Sequence, residues 1–272
     1  MREVRSQASD FRPLLLAGAP ERVAELKEAL VRGGDPTAIR DLSGHELTDY
    51  DLEGAEAIVY VVDGETASPA DEAAFRLADR KSVDVVCILV TPTGALPSTD
   101  LPFVPATEVI PVLPTEAPPV ERVAERLAAL AEDTNYVLAA KLPAVRKAIC
   151  DGIVRRFARQ NGILGAAIFI PGADLPALTV NQIRMVLRIA AAHGQEIDRD
   201  RAVELLAVLG AGFGFRALAR ELAGFVPGPG WALKGGIAYA GTKTLGEAAI
   251  RYFEAGGRAG LAEATKSVRP RS

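Results

Sequence analysis

Two uninterrupted apolar runs, Ile58-Val59-Tyr60-Val61-Val62 and Val85-Val86-Cys87-Ile88-Leu89-Val90, constrain the fold of this chain more than any other feature. A strand that is apolar on both faces must be covered on both faces, which is the situation of a mainly parallel sheet between layers of helices. Strand-like and helix-like runs alternate through residues 10–133, so this part is expected to be a three-layer α/β domain. Strands are expected at 13–17, 57–62, 83–90 and 108–113, and helices near 20–32, 69–80 and 117–132. The first helix opens with Glu21 and Glu25, whose charge suits the positive end of the helix dipole, and stops at Gly33-Gly34.

The run Leu14-Leu15-Leu16-Ala17-Gly18 ends on a glycine just before that helix. A phosphate-binding loop would place Gly, Lys and Ser or Thr five, six and seven residues after Gly18, where this chain carries Val23, Ala24 and Glu25. The lysine that reaches phosphate and the hydroxyl that holds magnesium are therefore missing. Glu25 is expected to set a carboxylate where phosphate oxygens would lie. Downstream come Asp41-Leu42-Ser43-Gly44, then His45, then Asp51-Leu52-Glu53-Gly54 leading into a strand that ends in Val62-Asp63-Gly64.

In order and spacing these segments resemble the Era-like bacterial GTPases, over residues 1–133 alone. The resemblance implies that Asp41 and Gly44 stand in the family's D-x-x-G, where the aspartate helps hold magnesium and the glycine senses the terminal phosphate. It also puts His45 where some GTPases carry a water-positioning histidine. The guanine-reading N-K-x-D is replaced by Thr91-Pro92-Thr93-Gly94, and about eight residues join the first helix to Asp41, which leaves little room for a switch loop. The expectation is a GTPase-like domain without a P-loop, in which Gly18, Asp41, Gly44 and His45 are a remnant of a nucleotide site. GTP hydrolysis is not expected. The plainer reading of Asp41 and His45 is a turn at a strand end.

Charge divides the chain near Asp133-Thr134-Asn135. Residues 1–134 hold 12 Lys and Arg against 25 Asp and Glu, a net of −13, whereas residues 135–272 hold 19 against 10, a net of +9; together they give the −4 of the whole chain. The basic half suits an anionic partner or membrane surface, although mutual attraction of the halves explains it too. Its cations are dispersed without interleaved aromatics, so no nucleic acid is expected. His45 and His193 lie far apart without ligand spacing around them, so no metal is expected, and no cofactor is implied. Cys87 and Cys150 read as buried thiols.

Residues 134–272 read as all helix. A pair at 136–141 and 144–160 carries Val145, Ile149, Ile153 and Phe157 on one face, with Arg155, Arg156 and Arg159 elsewhere. A helix over 175–193 is expected to be capped by Asp174 and to show a narrow polar stripe of Asn181, Arg184 and Arg188. Further helices are expected at 199–223 and 231–255. Pro171-Gly172-Ala173-Asp174, Gln182-Ile183-Arg184-Met185-Val186 and the later glycines resemble a bacterial helical family known as the domain of unknown function 697. Its members follow GTPase domains or occur in inner-membrane proteins, and it implies no catalytic residues.

The longest uncharged runs, 160–173 and 222–233, have 14 and 12 residues, short of the roughly 20 needed to cross a bilayer. Trp231 and Tyr239 beside Lys234 and Lys243, together with Arg155, Arg156 and Arg159, are the candidates for contact with a membrane or partner. The opening residues are mostly polar, so the expected location is cytoplasmic, peripheral to the inner face of the membrane. The function expected is that of a non-catalytic, GTPase-like adaptor docking on the membrane surface or a membrane protein. The alternatives are a degenerate nucleotide-binding switch and a soluble homo-oligomeric scaffold.

Overall fold

The computed structural model describes residues 11–96, 101–130, 135–167, 175–196, 199–206 and 230–257, without the side chains of 175–176 and 230–234. The chain divides into two compact units, Arg2–Ile149 and Cys150–Ser272.

The first unit is built on a five-stranded sheet of β1 (Leu14–Gly18), β2 (Ile39–Asp41), β3 (Ala57–Asp63), β4 (Val85–Val90) and β5 (Val109–Val112), in the order β2-β1-β3-β4-β5. Every neighbouring pair is parallel. The crossover helices are α1 (Pro20–Val31) between β1 and β2, α2 (Pro69–Lys81) between β3 and β4, and, after β5, α3 (Val120–Leu130). Because the chain leaves β1 in one direction along the sheet and leaves β3 in the other, right-handed crossovers put α1 and α2 on opposite faces. Side-chain alternation divides the core accordingly. Leu15, Ala17, Ile58, Tyr60, Val62, Cys87 and Leu89 cluster with Ala74, Phe75, Leu77 and Ala78 of α2. Leu14, Leu16, Val59, Val61, Val86 and Ile88 fall on the other face and are also buried. There α1 packs against α3.

Strand β2 was not among the expected strands. It is three residues long at a sheet edge, and only Ile39 is buried, so its periodicity is too brief to read. The other expected strands and the three helices form within two or three residues of their expected limits. Helix α2 has the most complete local coding. Ser68 Oγ accepts from Asp71 N, the Asp71 carboxylate accepts from Ser68 N, Pro69 occupies the first turn, and Arg80 and Lys81 lie at the negative end.

Helix α4 (Asn135–Lys141) and the first turns of α5 (Pro143–Ala167) go with the sheet, so the division falls inside α5, beyond the 133–134 boundary read from composition. Tyr136, Leu138 and Leu142 are buried. Lys141 Nζ lies 2.6 Å from Asp35 Oδ2, and Asp35 N donates to the Lys141 carbonyl at 2.9 Å.

The described elements of the second unit are all helices: the rest of α5, then α6 (Leu175–Ala192), helical residues 199–206, and α7 (Gly230–Glu254). Among the described residues no helix is long and apolar enough to cross a membrane. Helix α5 continues through Gly162 to Ala167, past its expected limit at 160. Close backbone approach sets the packing of α5 on α7. A Cβ on Gly235 would stand 2.8 Å from the Gly162 carbonyl oxygen, and one on Gly246 would stand 2.5 Å from a Val154 methyl. Beside these glycines the seam is filled by apolar side chains such as Val154 and Met185 and by a few polar ones.

The seam holds a buried polar cluster. Asn161 and Thr242 are fully buried. Asn161 Nδ2 donates to Thr242 Oγ1 at 2.8 Å, Asn181 Nδ2 donates to Asn161 Oδ1 at 3.0 Å, and Gln182 Nε2 donates to Thr242 Oγ1 at 3.3 Å. Helices α5, α6 and α7 are thus tied by side-chain amides and one hydroxyl. The residues of the expected polar stripe of α6 have different surroundings. Asn181 turns into the bundle, Arg184 is exposed, and the Arg188 guanidinium lies 5.3 Å from the centre of the Phe157 ring.

Candidate functional site: a cleft at the carboxyl end of β1 and β3

In a parallel sheet of this order, the crevice for ligands opens at the carboxyl ends of the strands where the winding reverses, between β1 and β3. A cleft of ≈ 380 Å³ opens there, lined by Gly18, Gly44, His45, Glu46, Leu47, Tyr60, Ala70, Asp71, Ala73 and Ala74. Its walls are the end of β1, the loop after β2, and the first turns of α2.

The β1 wall explains why no phosphate can be cradled. Strand β1 ends at Gly18 and α1 begins at Pro20, so a single residue, Ala19, joins them. A phosphate loop needs several successive backbone N–H groups curled around an anion. Here Ala19 N donates to the Val61 carbonyl at 2.9 Å and Pro20 has no N–H. Gly18 serves the sheet. It pairs with Val61 at φ +97°, and a Cβ there would stand 2.0 Å from the Val61 carbonyl oxygen.

The same direct junction overturns the expected position of Glu25. Position 25 is already in the second turn of α1, where Val23 points into the core and Glu25 lies 3.7 Å from Arg22. Arg22 in turn donates to the Pro114 carbonyl at 2.8 Å. Both residues line a small crevice on the α1–α3 face and leave the cleft beside Gly18 open.

The second wall is the D-x-x-G segment. Asp41 Oδ1 accepts from Ser43 N at 3.1 Å and from Ser43 Oγ at 2.7 Å, and Lys27 Nζ stands 3.2 Å from Oδ2. Partial burial opposes ionisation of Asp41, but the bonds from Ser43 and Lys27 outweigh it and hold the carboxyl below its ordinary range. The carboxylate therefore stabilises its own turn and does not line the cleft. Gly18, Gly44 and His45 do come together there, so three of the four residues expected to form a site share one cleft.

His45 Nδ1 lies 3.0 Å from the Ser43 carbonyl. A carbonyl only accepts, so the proton of this bond is on Nδ1 and Nε2 is left for other partners. Leu42 and Leu47 pack against the core cluster on either side and pin the loop.

The third wall contributes residues that the sequence reading missed. Buried Tyr60 donates its hydroxyl proton to Asp71 Oδ1 at 2.8 Å, and Asp71 Oδ2 accepts from Ser68 N at 2.8 Å. Burial and then the Asp71 carboxylate push the Tyr60 phenol well above its ordinary range. The signal was present in Ser68-Pro69-Ala70-Asp71, whose spacing is that of a capping box and so marks where α2 begins. Tyr60 gave no signal, because within an apolar strand run it reads as core.

The cleft contains no lysine or arginine. Among the described residues no group of three or more His, Cys, Asp or Glu side chains is placed to hold a metal ion.

The candidates in the helical unit are spread over three helices. Arg155 and Arg159 are exposed on α5, one turn apart, followed at the same spacing by Ile163, which is 62 % exposed. Arg156 is half-buried. Gln182 joins the buried polar cluster, Tyr239 is exposed beside Gly162, and Lys243 lies 3.9 Å from Glu247. Pro171, Gly172 and Asp174, with the side chains of Trp231 and Lys234, lie outside the described residues. No protein-family model matches the chain, and no curated protein matches it.

Proposed function

We propose that this chain is a non-catalytic, GTPase-like adaptor: its sheet unit keeps the skeleton of a nucleotide-binding domain, and its helical unit docks on an anionic membrane surface. The single observation that carries the first half is the junction Gly18-Ala19-Pro20, which leaves no loop to hold a phosphate. The strand order and the placing of Asp41–Gly44 beside β1 agree with a GTPase-like skeleton. A nucleotide switch draws no support from a cleft without cationic side chains. Titration calorimetry with GTP, GDP and ATP in magnesium buffer tests the reading. No saturable heat is expected below about 1 mM nucleotide, and a micromolar dissociation constant for any of the three would sink it.

Docking of the helical unit is supported by Arg155, Arg159 and Ile163, which share one exposed face of α5 and offer charge and apolar surface together. Co-sedimentation with phosphatidylserine vesicles at low salt should pellet the protein, and Arg155→Glu with Arg159→Glu should return it to the supernatant. Wild-type protein left in the supernatant disposes of the docking reading.

A further inference from the structure

We infer that the cleft at the carboxyl end of β1 and β3 is a binding site for a small organic cation, a primary ammonium or guanidinium carried on a short apolar body. Glu46 and Asp71 supply two carboxylates to the cleft and no cationic side chain offsets them. The flanking segments reinforce this sign. Residues 42–48 and 63–75 contain Glu46, Asp63, Glu65, Asp71 and Glu72 and not one lysine or arginine. A cleft lined by one sign of charge between low-dielectric walls focuses its field and raises the local concentration of the opposite ion.

The polar groups are held in place before any ligand arrives. Asp71 is fixed by the Tyr60 hydroxyl on one oxygen and by the Ser68 amide on the other, and each oxygen keeps a further lone pair for an N–H donor. Across the cleft, the bond from His45 Nδ1 to the Ser43 carbonyl fixes the orientation of the ring. An ammonium or guanidinium has only donors to offer, which matches the carboxylates of Glu46 and Asp71. Leu47, Ala70, Ala73 and Ala74 supply apolar wall for a short hydrocarbon body. The volume of ≈ 380 Å³ is near the lower end for small-molecule pockets, enough for a short body.

The inference is independent of membrane docking. It explains what the crevice of a doubly wound sheet holds once its phosphate grip is gone.

Titration of the full-length, nitrogen-15-labelled protein with agmatine and with n-butylammonium, using n-butyl phosphate as the anionic counterpart, tests it by amide chemical shifts. Agmatine is expected to shift amides of residues 44–47 and 70–74 saturably, with a dissociation constant of about 1 mM or tighter, while n-butyl phosphate leaves them unmoved. Glu46→Gln, on an exposed loop that the fold does not depend on, should weaken agmatine by about tenfold through loss of a charge-assisted bond. Tyr60→Phe frees Asp71 from its anchor and should weaken it less. The inference is overturned if neither cation shifts these amides by about 10 mM, if n-butyl phosphate shifts them equally, or if Glu46→Gln binds as wild type does.

Discussion

The sheet unit and the helical unit solve the same problem, fixing one arrangement out of many, by different chemistry. In the sheet unit the interior is almost wholly apolar and register is set by backbone ladders, with one face of each strand assigned to each helical layer. Apart from buried Thr91 and Asn135, its polar side chains sit mostly at the rims, where they cap helices and tie turns. In the helical unit a ladder between elements is impossible, because each helix satisfies its own backbone. Register there falls to glycines that admit close approach and to the Asn161–Thr242–Asn181–Gln182 cluster. A buried amide left without its partner is costly, so a slipped helix loses several bonds at once. The two units therefore answer to different substitutions.

The sharpest way to break the comparison is at Gly18. Replacing it with alanine forces a Cβ to within 2.0 Å of the Val61 carbonyl in a φ region that alanine avoids. The sheet has to open at β1–β3, and a loss of about 3 kcal/mol or more is expected in urea denaturation followed by circular dichroism. By contrast Gly236, on α7, has open space where its Cβ would go. Gly236→Ala should stabilise by about 0.5–1 kcal/mol in the same assay, through backbone entropy alone.

Asn161 is the corresponding weak point of the helical unit. Asn161→Ala leaves Asn181 and Thr242 without their shared partner and opens a small void, at an expected cost of about 2 kcal/mol. A neutral result would mean that apolar packing alone holds the three helices. Ser68→Ala removes one arm of the α2 capping box and should cost about 1 kcal/mol, in the sheet unit only.

The smallest effect concerns acid. The bond from Lys141, followed by those from Thr37, draws the Asp35 carboxyl down to about 2 from an ordinary 3.8. Its folded value lies below its unfolded one, so its contribution is fully present above pH 4 and is lost as pH falls toward 2. Asp51, held by the Thr48 hydroxyl and amide, and Asp41 move in the same direction. All three belong to the sheet unit. Thermal melts of wild type and Asp35→Asn should converge between pH 4 and pH 2, and parallel curves across that window would rule out this coupling.

Legibility differed between the units for the same physical reason. Strands β1, β3, β4 and β5 were readable because burial on both faces leaves a continuous apolar run, and α2 because its cap lies within four residues of sequence. Strand β2 was not readable, being short and half-exposed at an edge. Gly18, Gly44 and His45 were legible as a set, but Tyr60 and Asp71 were not. A tyrosine in a core strand and a capping aspartate become cleft residues only when α2 folds back over β3. The partner of Asn181 was not readable, because helical periodicity reports that a residue is polar and on which stripe, and says nothing about whether another helix will bring Asn161 against it.

From its residues alone this chain specified a parallel α/β unit, a helical unit and the absence of a phosphate-loop motif after Gly18, since all three rest on local periodicity and on residue types at fixed spacing. Tertiary structure decided the rest. The strand order, the direct turn from Gly18 into α1, the cleft that holds Glu46 and Asp71 and the polar seam between α5, α6 and α7 all depend on which distant segments meet. Such meetings are set by the packing of whole elements, and no window of sequence contains them.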